Sequence, residues 1–426
     1  MLFHIRRVVT VAAAVVLIGC GDQVVSVGEI VVTEADSAGV RMVTISGPVN
    51  ALPEWSLSPT PLTEISGNDP PFLGRVGQVA FLGEDQLLVQ DGQTDELRSF
   101  SAEGQVLQSL ARSGDGPGEF RLLTALSVTP GDTIYAFDGR LMRVSVFGPD
   151  GAFLNTIPVR PESAGPGTLV RTARALGSDR FLLHGYGLGS GESGSREGAP
   201  HRVVRDAIIQ VVTADGTDRA PQIRFPGGSV VRYAGGTVSG FTNRPFVSVN
   251  ATRILYGSGL TYELFLMDSD LQPLVVIRWP GWQRPLTASM IKALRDPRDT
   301  TLHELRAVAP AAADQVTDAL FHPSALPEVL PALGSVRLDE NGRIWVRTFL
   351  PPENVFMLMN GLFPQWREED AWHVLDSDGS PIARVRLPSK TRLMAVRGDR
   401  VAVVTRDSLD VEHVRVLAIN ALGGAR

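Results

Sequence analysis

A short β-branched or aromatic run followed, across a turn or loop, by a second such run recurs six times along these 426 residues. That recurrence confines the chain to an architecture of repeated small sheets. The first members of the pairs are residues 87–91, 134–138, 181–185, 254–257, 344–347 and 401–404; their partners are 97–100, 144–147, 209–212, 264–267, 372–375 and 414–417. Such runs suit strands packed on both faces. After five of the partners comes a turn signal, Glu103-Gly104, Asp150-Gly151, Asp215-Gly216, Ser269-Asp270 or Asp378-Gly379. These dipeptides accept positive φ and reverse the chain tightly into an antiparallel neighbour. Each unit therefore reads as a four-stranded antiparallel sheet with the pair as its second and third strands. The early copies recur at about 47 residues (87 to 134, 134 to 181), close to the length of a β-propeller blade. The expectation is an all-β propeller of six blades, ahead of seven or five. Its ring would be closed by residues 29–33 or 40–45 pairing near 414–419.

Residues 110–120 read Leu-Ala-Arg-Ser-Gly-Asp-Gly-Pro-Gly-Glu-Phe, and the following strand pair runs through Phe147 into Gly148-Pro149-Asp150-Gly151. This stretch resembles an NHL repeat, in which a glycine-rich linker leads into the next blade and a strand ending in Asp follows. The match is specific from about residue 74 to 158 and a pattern elsewhere. More broadly, the chain is similar to six-bladed propeller lipoproteins of bacteria.

The N-terminus carries Arg6 and Arg7 ahead of an apolar run, residues 8–18, interrupted only by Thr10. That is the layout of a secretory signal, and at about 1.5 Å per residue it covers only about half of a bilayer core. Leu17-Ile18-Gly19-Cys20 resembles the lipobox of bacterial lipoproteins. The resemblance implies cleavage between Gly19 and Cys20 and acylation of the Cys20 thiol. Acyl chains of this kind tether a domain without spanning the bilayer. Residues 1–19 are thus read as signal, 20–28 as tether and 29–426 as the propeller. Gly21, rather than Asp, follows the cysteine, which favours the outer membrane in a diderm host. Because Cys20 is the only cysteine, the folded part has neither a disulfide nor a cysteine metal site to draw on, and its core must hold it.

Composition narrows the partners. A net charge of −6, with arginines interspersed among acids, gives no footprint for nucleic acid. With 43 Gly and 29 Pro against a 43% hydrophobic fraction, the chain is turn-rich and not disordered. Insertions are expected at about 185–205, 283–332 and 351–370. The first contains Gly189 to Gly194 in a G-x-G-x-x-G pattern, but a dinucleotide site needs that motif between a strand and a helix, so it is read as a surface loop. In the second, Thr287 can cap a helix carrying Met290, Ile291 and Leu294, with further helical stretches near 302–308 and over 311–321.

No H-E-x-x-H, catalytic G-x-S-x-G or cysteine-based site is present. Asp376-Ser377-Asp378-Gly379 and Asp339-Glu340-Asn341-Gly342 lack the ligand ladder of a calcium loop and sit where hairpins turn. Of the seven scattered histidines, His184 is the one that could face a central channel. No metal or other cofactor is expected. A possible binding face gathers Arg112, Glu119, Asp138, Arg140 and Arg143 at one end of the best-defined blade. The functional expectation is a monomeric, non-catalytic binding module for an envelope protein, peptide or glycan, attached to the membrane through lipid on Cys20. The alternative is an NHL-like lyase or hydrolase with a metal or polar site in the channel.

Overall fold

The computed structural model describes residues 5–11, 29–70, 72–160, 168–187, 198–215, 221–238, 245–294, 310–349 and 370–420. Six antiparallel units follow one another as the blades of a β-propeller, some of them joined into larger sheets by strands from the N-terminal part of the chain. Blade 1 is Val76–Leu82, Gln86–Asp91, Glu96–Phe100 and Val106–Ala111; blade 2 is Leu123–Val128, Ile134–Asp138, Arg143–Phe147 and Phe153–Pro158. Blade 3 is Thr168–Leu176, Arg180–Gly187, His201–Thr213 and Ile223–Tyr233, extended by Gly236–Val238. Blade 4 is Phe246–Val249, Arg253–Gly257, Glu263–Asp268 and Pro273–Arg278; blade 5 is Leu333–Leu338, Ile344–Thr348, Asp370–Leu375 and Pro381–Leu387. Blade 6 takes Thr391–Arg397, Arg400–Arg406 and Glu412–Asn420 from the end of the chain and Thr63–Ile65 from its beginning. All six expected strand pairs are the second and third strands of these blades.

The core lies between blades. One cluster joins Leu88 and Leu97 of blade 1 to Leu126 and Ile134 of blade 2, and the next joins Phe137 and Val144 to Ala173 and Phe181 of blade 3. Equivalent clusters fill the remaining four junctions, the last setting Val404 and Val414 of blade 6 against Val79 and Val89 of blade 1. This is why the second and third strands are apolar on both faces: each face is buried against a different neighbour. Polar links run around the same circle. Gln90 reaches the Leu123 carbonyl, Ser127 accepts from Ala175 N–H, Tyr256 donates to the Pro226 carbonyl, Ser248 accepts from Leu338 N–H, Arg337 donates to Leu393 and Arg392 to Val76.

Ring closure differs from the expectation. Ile30–Ser37 and Val40–Ser46 form a hairpin, and the second of them runs parallel to Pro273–Arg278 on the rim of blade 4. Its buried Val43 and Ile45 join the core between blades 4 and 5. The chain then lays Glu54–Leu57 between blades 5 and 6 and closes blade 6 with Thr63–Ile65, pairing Ile65 with Val414 and Thr63 with Val416. A hairpin leaves the outward-facing backbone groups of both its strands unpaired, and the open edge of blade 4 satisfies those of Val40–Ser46. Ile5–Val11, inside the segment expected to leave as signal, runs antiparallel to Ile30–Ser37 at the outer edge of that sheet.

The second expected insertion is helical. Helix α1, Ala288–Leu294, follows Thr287, whose hydroxyl accepts from Met290 N–H at 3.3 Å. Helix α2, Pro310–Leu320, starts on a proline that needs no intrahelical donor there. It buries Val316, Ala319 and Leu320 against Val231 and Val238 of blade 3. The 302–308 stretch and most of the third insertion lie outside the described residues. So do residues 188–197 of the expected 185–205 loop, whose flanks extend the strands of blade 3.

Candidate functional site

The five residues expected to form a binding face come together around the linker between blades 1 and 2. Asp138, fully buried, closes the second strand of blade 2. One carboxylate oxygen accepts Arg140 N–H and Leu141 N–H, both at 2.8 Å, and the other accepts Arg121 N–H at 2.6 Å and Leu122 N–H at 3.4 Å. The Arg143 guanidinium donates to the Gly116 and Glu119 carbonyls. Glu119 accepts Gly116 N–H at 2.8 Å and pairs with Arg112 at 3.0 Å, which hold its carboxyl below the usual carboxylate range. A Cβ on Gly114 would stand 2.0 Å from that carboxylate, so a side chain there would displace the Glu119 carboxylate from this network. Arg140 meets this network through its main chain and lies exposed, as does Arg112. The polar atoms of Glu119, Asp138 and Arg143 are thus directed at the linker's own backbone. Gly19 and Cys20 lie outside the described residues.

A second polar cluster occupies the central channel. The innermost strands of blades 3, 4 and 5 border a cavity of ≈ 270 Å³ lined by Thr172, Arg174, His184, Ser248, Ser335 and Arg337, with Phe246 on one side. Alternation along each strand produces the lining. Thr172 and Arg174 face the channel while Ala173 and Ala175 enter the core; on the first strand of blade 5, Ser335, Val336 and Arg337 all border the cavity, with Val336 also packed into the core. Ser248 accepts from Leu338 N–H at 2.8 Å, so its own proton is left for an acceptor.

The electrostatics of this cavity are one-sided. The Arg174 guanidinium makes no hydrogen bond or ion pair among the described residues, and that of Arg337 makes a single hydrogen bond, to the Leu393 carbonyl at 2.8 Å. Burial lowers the Arg174 pKa. Burial, followed by repulsion from Arg174, Arg347 and Arg392, brings Arg337 down to about 10. A guanidinium keeps its charge at neutral pH even in a protein interior. Burial and then the charges of Arg174 and Arg171 push His184 down to about 4, so its imidazole is neutral there. The His184 Nε2 is buried without a partner. No group of three or more His, Cys, Asp or Glu able to hold a metal occurs among the described residues.

No family model matches this chain, and no curated protein matches it. Among solved structures it is similar to a member of the DUF4221 family from Bacteroides vulgatus ATCC 8482, with a TM-score of 0.51 at 11% identity, covering 87% of this chain and 99% of that one. The fold is shared. Two further similar structures are a “putative exported protein” of Bacteroides fragilis NCTC 9343 (TM-score 0.48, 12% identity, 90% and 100% covered) and a calcium-binding protein, regucalcin, from Agrobacterium tumefaciens C58 (0.38, 12%, 87% and 97%). At these identities the likeness concerns architecture and says nothing of ligand.

Sequence reasoning singled out His184 as a channel candidate but missed Arg174 and Arg337. The repeat is legible in the second and third strands, which are mostly apolar, whereas the channel is lined mainly by first strands. A signal was nonetheless present. Thr172-Ala173-Arg174-Ala175 and Ser335-Val336-Arg337-Leu338 share a hydroxyl-x-Arg-x pattern on the inner strands of two blades.

Proposed function

We propose that this protein is an exported, lipid-anchored propeller of NHL-like type that serves as a non-catalytic binding module, with the channel cavity as its binding site. Arg6, Arg7, the apolar run after them and the lipobox ending in Cys20 support export and tethering. The observation that carries the binding reading is the lining of the cavity. Its side chains offer hydroxyl and guanidinium donors, and its one histidine is neither hydrogen-bonded to a hydroxyl nor oriented by a carboxylate. A hydroxyl nucleophile needs such a base within hydrogen-bond reach. Donors held ready in this way bind and orient an acceptor group.

The occupant is a small molecule, or the terminal group of an envelope peptide or glycan inserted into the channel. Two measurements test the reading. A Cys20→Ala variant should lose incorporation of an alkyne-tagged fatty acid and remain at precursor mass; unchanged labelling would rule out tethering at Cys20. Thermal stability of the purified protein should rise on titration with at least one member of a panel of small acids, saccharides and peptides. Ser335→Val should weaken that response, and a panel without any response would count against the module.

A further inference from the structure

We propose that the channel cavity is a site for a small dianion whose oxygens are clamped between the guanidinium groups of Arg174 and Arg337. The proposal deepens the binding-module reading and rests on it. Its basis is a contrast among the protein's inward-facing arginines. Arg347 lies 3.6 Å from Asp370 and over the Trp372 ring. Arg392 lies 3.7 Å from Glu412, Arg343 2.7 Å from Asp339, and Arg98 3.6 Å from Asp91. These four arginines are each given a carboxylate, and Arg143 and Arg202 are instead held by two or more carbonyl or hydroxyl oxygens, so each is compensated as the desolvation of a buried charge demands. The Arg174 guanidinium has no such partner among the described residues, and that of Arg337 has a single carbonyl and a buried, unpartnered Nε; the two border the same cavity. Neither has a carboxylate partner among the described residues, and they repel each other closely enough to depress the Arg337 pKa.

Two positive charges left uncompensated in one recess call for about two negative charges from outside. Guanidinium groups present planar forks of N–H donors that match the paired oxygens of phosphate, sulfate and carboxylate. Thr172, Ser248 and Ser335 add neutral donors around them, and Phe246 offers an apolar wall. The volume of ≈ 270 Å³ admits a small molecule or a terminal group and excludes a folded partner. The shared chemistry is a compact dianion: inorganic phosphate or sulfate, a phosphorylated or sulfated small molecule, or a dicarboxylate.

The test uses the purified full-length protein in detergent. Sodium phosphate, sulfate and succinate are titrated separately against sodium chloride at matched ionic strength and against glucose, following thermal stability and calorimetric heat. The expected result is saturable stabilisation by one or more of the divalent anions, with no saturable effect from chloride or glucose. Arg174→Gln and Arg337→Gln should each lower that affinity roughly tenfold to hundredfold. Each should also raise the melting temperature of the ligand-free protein by removing an uncompensated charge. Arg415→Gln, at an exposed pair with Glu64, serves as the control and should change neither. If a channel variant fails to fold, phenylglyoxal modification of the wild-type protein replaces it, and the bound anion should slow labelling of Arg174 and Arg337. Anion binding unchanged in both variants, or no protection from labelling, would overturn the proposal. Binding of neutral saccharides or peptides that depends on Ser335, without any response to divalent anions, would overturn the dianion site but leave the binding module standing. No response to anything would remove both.

Discussion

Asp138 illustrates why a polar cluster is easier to see in a sequence than to interpret. Its proximity to Arg140, Arg143, Arg112 and Glu119 was legible, but its partners are main-chain N–H groups, which residues of any type supply. Its burial closes the turn after the second strand and anchors the preceding linker through the same carboxylate. Asp138→Ala should strand those donors and cost about 3 kcal/mol of stability, measured by denaturant unfolding. A loss below about 1 kcal/mol would mean that water replaces the carboxylate. The histidines give the second prediction at this scale. His184 and His373 are both held near 4 by burial, against an ordinary value of 6.5. His373 sits among Tyr262, Trp279 and Trp282 with its Nδ1 unpartnered. Between pH 6.5 and 4 the unfolded chain binds protons that the folded chain refuses, so stability falls as pH drops through that window. The loss is up to about 3 kcal/mol for each histidine at its lower limit. His373→Phe should flatten the slope of stability against pH between those values; an unchanged slope would reject His373 as a source.

Elements were the most legible level where each carries its own punctuation. The second and third strands announce themselves by continuous apolar runs, and α1 by Thr287 ahead of Met290 and Ile291. Helix α2 was legible from its apolar spacing. What the sequence withheld was the surface on which α2 lands. A helix's apolar stripe states that a partner exists and not which one, and this stripe crosses from between blades 4 and 5 to blade 3. There the Arg202 guanidinium reaches the Ala325 carbonyl at 2.6 Å and secures the segment after the helix. Leu320 is fully buried in that contact. Leu320→Ala should therefore remove about 3 kcal/mol of local stability. Hydrogen exchange is the appropriate readout. Amides of Ile223–Tyr233 should exchange faster while those of blades 1 and 2 keep their protection, and uniform acceleration across all blades would show that the insertion is integral to the ring.

At the scale of the whole molecule, the decisive contact is also among the smallest. Six blades were legible because the repeat is, but the closing strand was not. Thr63–Ile65 has three residues, too few to display a period, whereas Ile30–Ser37 and Val40–Ser46 read as strong strands and spend their hydrogen bonds on each other and on blade 4. The difference has a consequence for cooperativity. A closed ring of six blades has six buried junctions; opening it at blade 6 leaves five and bares two apolar faces at once. Ile65 is 3% exposed, pairs with Val414, and packs with Val404 of blade 6 and with Val79 and Val89 of blade 1. Ile65→Asp places an unpaired carboxylate in that junction and should destabilise the protein by more than about 3 kcal/mol. It should also split or broaden the unfolding transition, because blades 6 and 1 then unfold ahead of the rest. Deleting residues 29–46 removes the buried Val43 and Ile45 and should lower the melting temperature too, but with a single sharp transition, since Thr63–Ile65 still closes the ring. Calorimetry separates the two: the ratio of van't Hoff to calorimetric enthalpy stays near one for the deletion and falls below it for Ile65→Asp. The reverse pattern would return closure to the early hairpin.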